Sequence, residues 1–208
     1  HKYVLENNLW EAAVQGYSAS ITFADAQVGR LLEALENSPY KKNTIIILFG
    51  DHGWNLGEKE HWRKYALWEE TTNVPFIVVA PGLVKPGSVC ERTVNLMDIY
   101  PTLIEACNLP AKKGIEAVSI YPLLKSPTIT WNHPSVSTWG QNNHAVRTER
   151  WRYIRYSDGS EELYDHNIDP HEWKNLAKEK KYGALKKELA GWMPKVNVSD
   201  APIDLNVK

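Results

Sequence analysis

Between residues 18 and 36, Ile21, Ala24, Val28, Leu31, Leu32 and Leu35 recur at steps of three and four. That spacing lays one apolar stripe along a helix. Gly29 falls inside the same stretch; it weakens the helix slightly and lets another element come close. The pattern then changes. After the breaker-rich NSPYKKN of 37–43 comes TIIILF at 44–49, apolar and β-branched with no alternation. Such a run predicts a strand buried on both faces, the habit of a central parallel strand. NVPFIVVAPG at 73–82 reads the same way, with Pro75 near its start, where proline is tolerated. Two such strands with an amphipathic helix ahead of them predict a layered α/β fold.

Further on, PGLVKPGS at 81–88 is a turn-rich loop, and NLMDIYPTLIEACNLP at 95–110 predicts a helix. Met97, Tyr100, Leu103, Ile104 and Cys107 lie on one side of it, and Pro101 in its first turn. Beyond about residue 125 the signals shorten. WRYIRY alternates, SDGS can turn, and EELYD can return as the second arm of a hairpin. Residues 169–193 predict one or two charged surface helices, with Asp169 as cap and Pro170 in the first turn. The expected organisation is an α/β core over 1–125, then a smaller antiparallel sheet with a terminal helix over 126–208.

Composition narrows the classes. The chain is 43% apolar and 24% charged with a formal net charge of −1, an ordinary globular balance. It gives no ground for a nucleic-acid partner, and no apolar run approaches the length of a membrane span. Cys90 and Cys107 are too few for a disulfide scaffold; they can pair, but nothing requires it. Trp54, Trp62 and Trp139 stand beside polar clusters, where they either pack or wall a pocket for a flat ligand face.

The chemistry gathers just past the 44–49 strand, in GDHGWNLGEKEHWRKY, where ligands of open α/β sheets sit. Asp51 and His52, flanked by glycines, offer an oxygen and an imidazole nitrogen to one divalent cation. Alternatively Asp51 caps a turn and His52 bonds locally. Lys64 is a point charge suited to a sulfate or phosphate oxygen, or else part of a solvated cluster with Arg63. His61 can move a proton or sit at the rim. His144 and Arg147, beside a predicted strand, can reach an anionic substrate or face solvent.

As a set, YSASITFADAQVGRLLEALE, NTIIILFGDHGWNLGEKEHWRKYALWEETTNVPFIVVAPG, RTVNLMDIYPTLIEACNLP and HAVRTERWRYIRYSDGSEELYDHNIDPHEWKNLA resemble the type I sulfatases of the alkaline-phosphatase-like superfamily. Within them the chain is most similar to the iduronate-2-sulfatase-like branch. The resemblance implies a partial layered sheet core with an antiparallel C-terminal subdomain. It implies that Asp51 and His52 ligate Ca²⁺, completed by ligands outside this chain, and that Lys64 contacts the sulfate. The family's nucleophile is a formylglycine made from a C/S-x-P-x-R motif, which residues 1–208 lack; Cys90 and Cys107 do not fit it. His1 is no natural start. The implied partners are therefore an N-terminal sulfatase portion, in the same protein or a second chain, and a sulfated polysaccharide or oligosaccharide. The expected activity is sulfate-ester hydrolysis, inactive in the isolated chain, with phosphoester or phosphonate hydrolysis and a non-catalytic binding fragment as alternatives. The expected compartment is periplasmic, secreted or lysosomal-type.

Overall fold

The computed structural model describes residues 1–199, which divide into two compact units. One comprises residues 1–64 and 73–88; the other comprises 65–72 and 89–199 of the described residues.

In the first unit α1 (Lys2–Glu6) leads into α2 (Trp10–Glu36). The helix predicted from residue 18 begins earlier because Glu11, Ala12, Ala13 and Gln15 are strong helix formers that carry it through Gly16. Its end is closed by the Asn37 N–H bonding to the Glu33 carbonyl. β1 (Ile46–Phe49) follows, then β2 (Asn55–Leu56) and β3 (Trp62–Arg63), which pair as a short hairpin. α3 (Glu69–Thr72) belongs to the second unit, and β4 (Phe76–Val79) returns to the first.

β1 and β4 pair antiparallel, Ile46 opposite Val79 and Phe49 opposite Phe76. This corrects the expectation of a parallel strand buried on both faces. Leu48, Phe49, Ile77 and Val79 are exposed among the described residues. An apolar β-branched run reports a demand for burial but not the direction of its neighbour. Direction is set by the connection, and residues 50–75 bring the chain back along β1. Pro75 sits just ahead of β4, where its carbonyl accepts from Gly50 N at 3.1 Å.

In the second unit a 3₁₀ turn at Leu96–Asp98 opens α4 (Ile99–Ala106). Asp98 is buried and accepts from the N–H groups of Asn95 and Val118. Thr102 donates to the Asp98 carbonyl at 2.6 Å and accepts from Ile120 N at 2.9 Å. Asp98 and Thr102, either side of Pro101, thus form a set of polar pins between α4 and the start of α5 (Tyr121–Lys125). β5 (Ser135–Thr138), β6 (His144–Arg147), β7 (Trp151–Arg155) and β8 (Glu161–Asp165) form an antiparallel sheet in that order. The 151–165 hairpin forms as expected.

Alternation buries both faces of this sheet. Val146, Tyr153 and Leu163 pack with Leu176, Ala177, Met193 and Leu189, the last on α6 (Gly183–Ala190). Ala145, Ile154 and Tyr164 pack with Leu67. Trp68 Nε1 donates to Glu162 at 2.7 Å, so the 67–72 segment is docked by a side chain as well as by burial. Of the helices expected over 169–193, one forms. Asp169 accepts from the N–H groups of Trp173 and Lys174, but Glu172 holds φ +60° and stops a helix there. No helix among the described residues is long and apolar enough to cross a membrane.

Gly57 closes the β2–β3 hairpin with φ +113°, and a Cβ on it would lie 2.4 Å from the Trp10 ring. Gly57→Ala is expected to cost about 1–3 kcal/mol, through left-handed backbone strain and displacement of Trp10, read from the urea midpoint.

Candidate functional site

β1 ends at Phe49, and Gly50 turns the chain against Val74 and Pro75 so closely that an added Cβ would press on Val74 at 3.3 Å. Asp51 and His52 follow directly. The Asp51 side chain is 82% exposed, with Oδ2 3.4 Å from His52 Nε2. His52 Nδ1 lies 2.9 Å from the Gly53 carbonyl, which can only accept. Nδ1 therefore carries the proton and Nε2 carries the lone pair. Lys64 Nζ, which can only donate, stands 3.1 Å from that same Nε2. Carboxylate, imidazole lone pair and ammonium thus converge at the tip of a strand.

A pair of donor atoms 3.4 Å apart is close enough to share one cation, whose bonds to O and N run about 2.0–2.6 Å. The backbone acceptor on Nδ1 is the usual support for an imidazole ligand. Asp51 and His52 fit two positions of a divalent-cation shell; an oxygen-rich shell needs several more donors.

Lys64 is delivered by a strained loop. Gly57, Lys59, Glu60, Arg63 and Tyr65 all have positive φ, five of the nine residues from 57 to 65. Non-glycine residues in that region cost on the order of 1 kcal/mol or more each, and such strain gathers at functional loops. The loop is held from inside. His61 Nε2 donates to the Lys64 carbonyl at 3.0 Å, and Glu58 accepts from Leu56 N. His61 therefore fixes the backbone that carries Lys64.

The other two sequence candidates lie in the second unit. His144 is buried on β6, between Thr138 Oγ1 at 2.8 Å and Asn197 Oδ1 at 2.5 Å. Arg147 directs Nε to Glu69 at 3.1 Å and Nη2 to His166 at 2.9 Å. Both side chains make internal contacts, and neither joins Asp51, His52, His61 and Lys64 in one unit.

The second unit also holds a cluster that sequence reasoning missed. Arg152 and Glu172 are each 1% exposed. Arg152 donates Nε to Glu172, Nη2 to Glu69 and Nη1 to the Leu67 carbonyl. Glu172 accepts from His166 Nε2 at 2.9 Å and from Glu69 N at 3.0 Å. Arg147 can only donate to His166 Nδ1, so the ring accepts there and donates from Nε2 to Glu172. Glu69, His166 and Glu172 bring donor atoms within 4.8 Å of one another, a set capable of coordinating a metal ion. Here the same carboxylates already accept from two guanidiniums, which supply the compensating charge. From sequence alone, the three arginines at 147, 150 and 152 suit a solvated strand face; the structure buries Arg152 and leaves Arg150 half exposed.

The family model "Sulfatase" matches residues 2–109, and "N-sulphoglucosamine sulphohydrolase, C-terminal" matches residues 57–199. The chain belongs to the sulfatase family. It joins part of a type I sulfatase domain of the alkaline-phosphatase-like fold to its C-terminal extension. A sulfatase of Formosa agariphila is 40% identical over 95% of this chain and 39% of its own length. A Delta 4,5-hexuronate-2-O-sulfatase of Bacteroides thetaiotaomicron is 34% identical over 84% of this chain and 38% of its own. The solved structure of a 2-O GAG sulfatase superposes with a TM-score of 0.70 at 30% identity, over 79% of this chain and 38% of that one. A phosphonate monoester hydrolase of Agrobacterium radiobacter shares the fold, with a TM-score of 0.70 at 23% identity, over 86% of this chain and 43% of that one. The chain spans about two-fifths of the length of these sulfatase relatives.

At Glu172, burial pushes the carboxyl up, but the His166 hydrogen bond and the charge of Arg152 outweigh it; at Glu69 the charges of Arg152 and Arg147 do the same. Both stay below the ordinary 4.5, so the stability they contribute is present above that pH and is lost as pH falls through their lowered values. Urea unfolding is expected to weaken below pH about 4.5. The Glu69→Gln/Glu172→Gln double variant should show a flatter acid limb. Arg152→Ala, which takes the shared guanidinium from the buried Glu172 and the partly buried Glu69, should cost about 3–5 kcal/mol at neutral pH in the same assay.

Proposed function

We propose that this chain is the C-terminal portion of a sulfuric ester hydrolase of sulfated glycans, in the iduronate-2-sulfatase-like branch. The observation that carries the reading is the meeting at His52 Nε2. A carboxylate oxygen stands 3.4 Å away and an ammonium 3.1 Å away, beyond the end of β1. A Ca²⁺ held by Asp51 and His52, with further ligands from outside residues 1–208, would draw charge from an ester oxyanion. Lys64 would place its ammonium on the same anion. The hydrogen bond from His61 to the Lys64 carbonyl supports a holding role over proton transfer to a leaving oxygen. His144 and Arg147, turned to internal partners, are given no substrate role in this reading.

A portion preceding these residues, in the same polypeptide or a second chain, would supply the nucleophile and the remaining ligands. The exposed apolar side chains of the first unit support it: Phe23 and Leu31 on α2, Phe49 on β1 and Ile77 on β4 offer packing surface. The hexuronate-2-O-sulfatase and 2-O GAG sulfatase among the relatives favour a 2-O-sulfated uronic acid as the substrate unit. An extracytoplasmic compartment, periplasmic, secreted or lysosomal-type, goes with such a substrate.

Lys64→Ala in the protein completed by that portion is expected to lower kcat/KM for a sulfated uronic-acid disaccharide by about 100-fold or more. An unchanged value would remove Lys64 from the chemistry. A phosphonate monoester turned over in place of the sulfate ester would favour the phosphonate hydrolase alternative. Residues 1–208 alone should bind Ca²⁺ weakly by calorimetry, since a six- to eight-oxygen shell lacks most of its donors there.

A further inference from the structure

Trp54 has a use beyond packing. Its ring lies 6.2 Å from that of His52 at an interplanar angle of 26°, and 6.1 Å from that of Tyr17 at 17°. The Arg63 guanidinium carbon lies 6.0 Å from the same ring. The indole thus contacts three side chains of its own unit, one of them the imidazole of the candidate site. Tyr17 sits on α2 and His52 after β1, so the array ties the helix to the strand end.

The imidazole is only partly buried, and its neighbour Asp51 is almost fully exposed. The Gly53 carbonyl meets Nδ1 and the Lys64 ammonium meets Nε2, but once Lys64 is drawn to an anion the Gly53 bond alone leaves the ring free to pivot about it. A ring held flat against an indole cannot pivot without losing that contact. Stacked aromatic pairs with centroids about 4.5–7 Å apart attract beyond area burial, enough to favour one ring orientation over others by roughly two- to tenfold. Support of this kind around a ligating histidine is worth roughly 10–100-fold in metal affinity when it acts through hydrogen bonds.

We propose that Trp54, backed by Tyr17, is a positioning residue that holds the His52 ring with its Nε2 lone pair turned to the cation and anion site. This rests on the reading of Asp51 and His52 as metal ligands. It assigns Trp54 to the support of the site rather than to a sugar platform.

The test uses the protein completed by its N-terminal portion and Ca²⁺ alone as probe. Trp54→Ala is expected to weaken Ca²⁺ binding by about tenfold in calorimetry, with Trp54→Phe restoring most of the loss. Relaxation spectra of the His52 ring should show one orientation in the unaltered protein, several in exchange in Trp54→Ala, and one again in Trp54→Phe, with the tautomer kept by the Gly53 carbonyl throughout. A loss of packing elsewhere would leave the His52 ring signals unchanged. Should Trp54→Ala fail to fold, Tyr17→Leu should weaken binding several-fold in the same direction. His52→Ala serves as the reference. If it leaves Ca²⁺ affinity unchanged, the metal reading itself falls. If it abolishes binding while Trp54→Ala and Tyr17→Leu match the unaltered protein in affinity and in the His52 ring signals, the positioning inference alone is overturned.

Discussion

A guanidinium that is 1% exposed constrains everything packed around it. Arg152 stands on β7 with no solvent to share its charge, so its nitrogens must all find acceptors. They find Glu172, Glu69 and the Leu67 carbonyl. Meeting that demand fixes two segments far apart in sequence. Glu172 takes a left-handed backbone, which ends any helix after Asp169. Residues 67–72 join the C-terminal sheet, although the chain on either side of 65–72 belongs to the other unit. The segment immediately after Lys64 is therefore anchored by charge as well as by the burial of Leu67.

Three histidines show how partner chemistry assigns roles. Each has a neighbour that can only donate or only accept, so each tautomer follows from geometry. His166 gives its proton to Glu172 and accepts from Arg147. His61 gives its proton to the Lys64 carbonyl. His52 gives its proton to the Gly53 carbonyl and turns its lone pair toward Lys64 and Asp51. Two of these rings hold structure together; the third presents a donor atom. That distinction, rather than histidine content, marks the candidate site in this chain. The strained 57–65 loop and the Trp54 stack both serve the same few atoms.

Much of the fold was legible in the pattern of side chains. The three-and-four spacing over 18–36, the β-branched runs at 46–49 and 76–79, and the alternation of 151–155 each encode a local preference strong enough to survive into the structure. So did the grouping of Asp51, His52, His61 and Lys64, because a strand end and one short hairpin keep them close without help from distant chain. The local pattern could not give the direction of β1's neighbour. A strand's own residues ask only for burial, and the antiparallel pairing with β4 is set by the path of residues 50–75.

What the sequence by itself determined, then, is the family, the α/β class and the cluster after β1, all of which depend on near neighbours. The tertiary structure alone decided the rest. Arg152 looks like a solvated strand residue until Glu69 and Glu172 arrive from 83 residues before and 20 after it. Trp54 looks like a pocket wall until Tyr17 is brought against it from α2. The physical reason is the same in both cases. A charge or a ring takes its role from what excludes water around it, and those groups are gathered by folding rather than by adjacency along the chain.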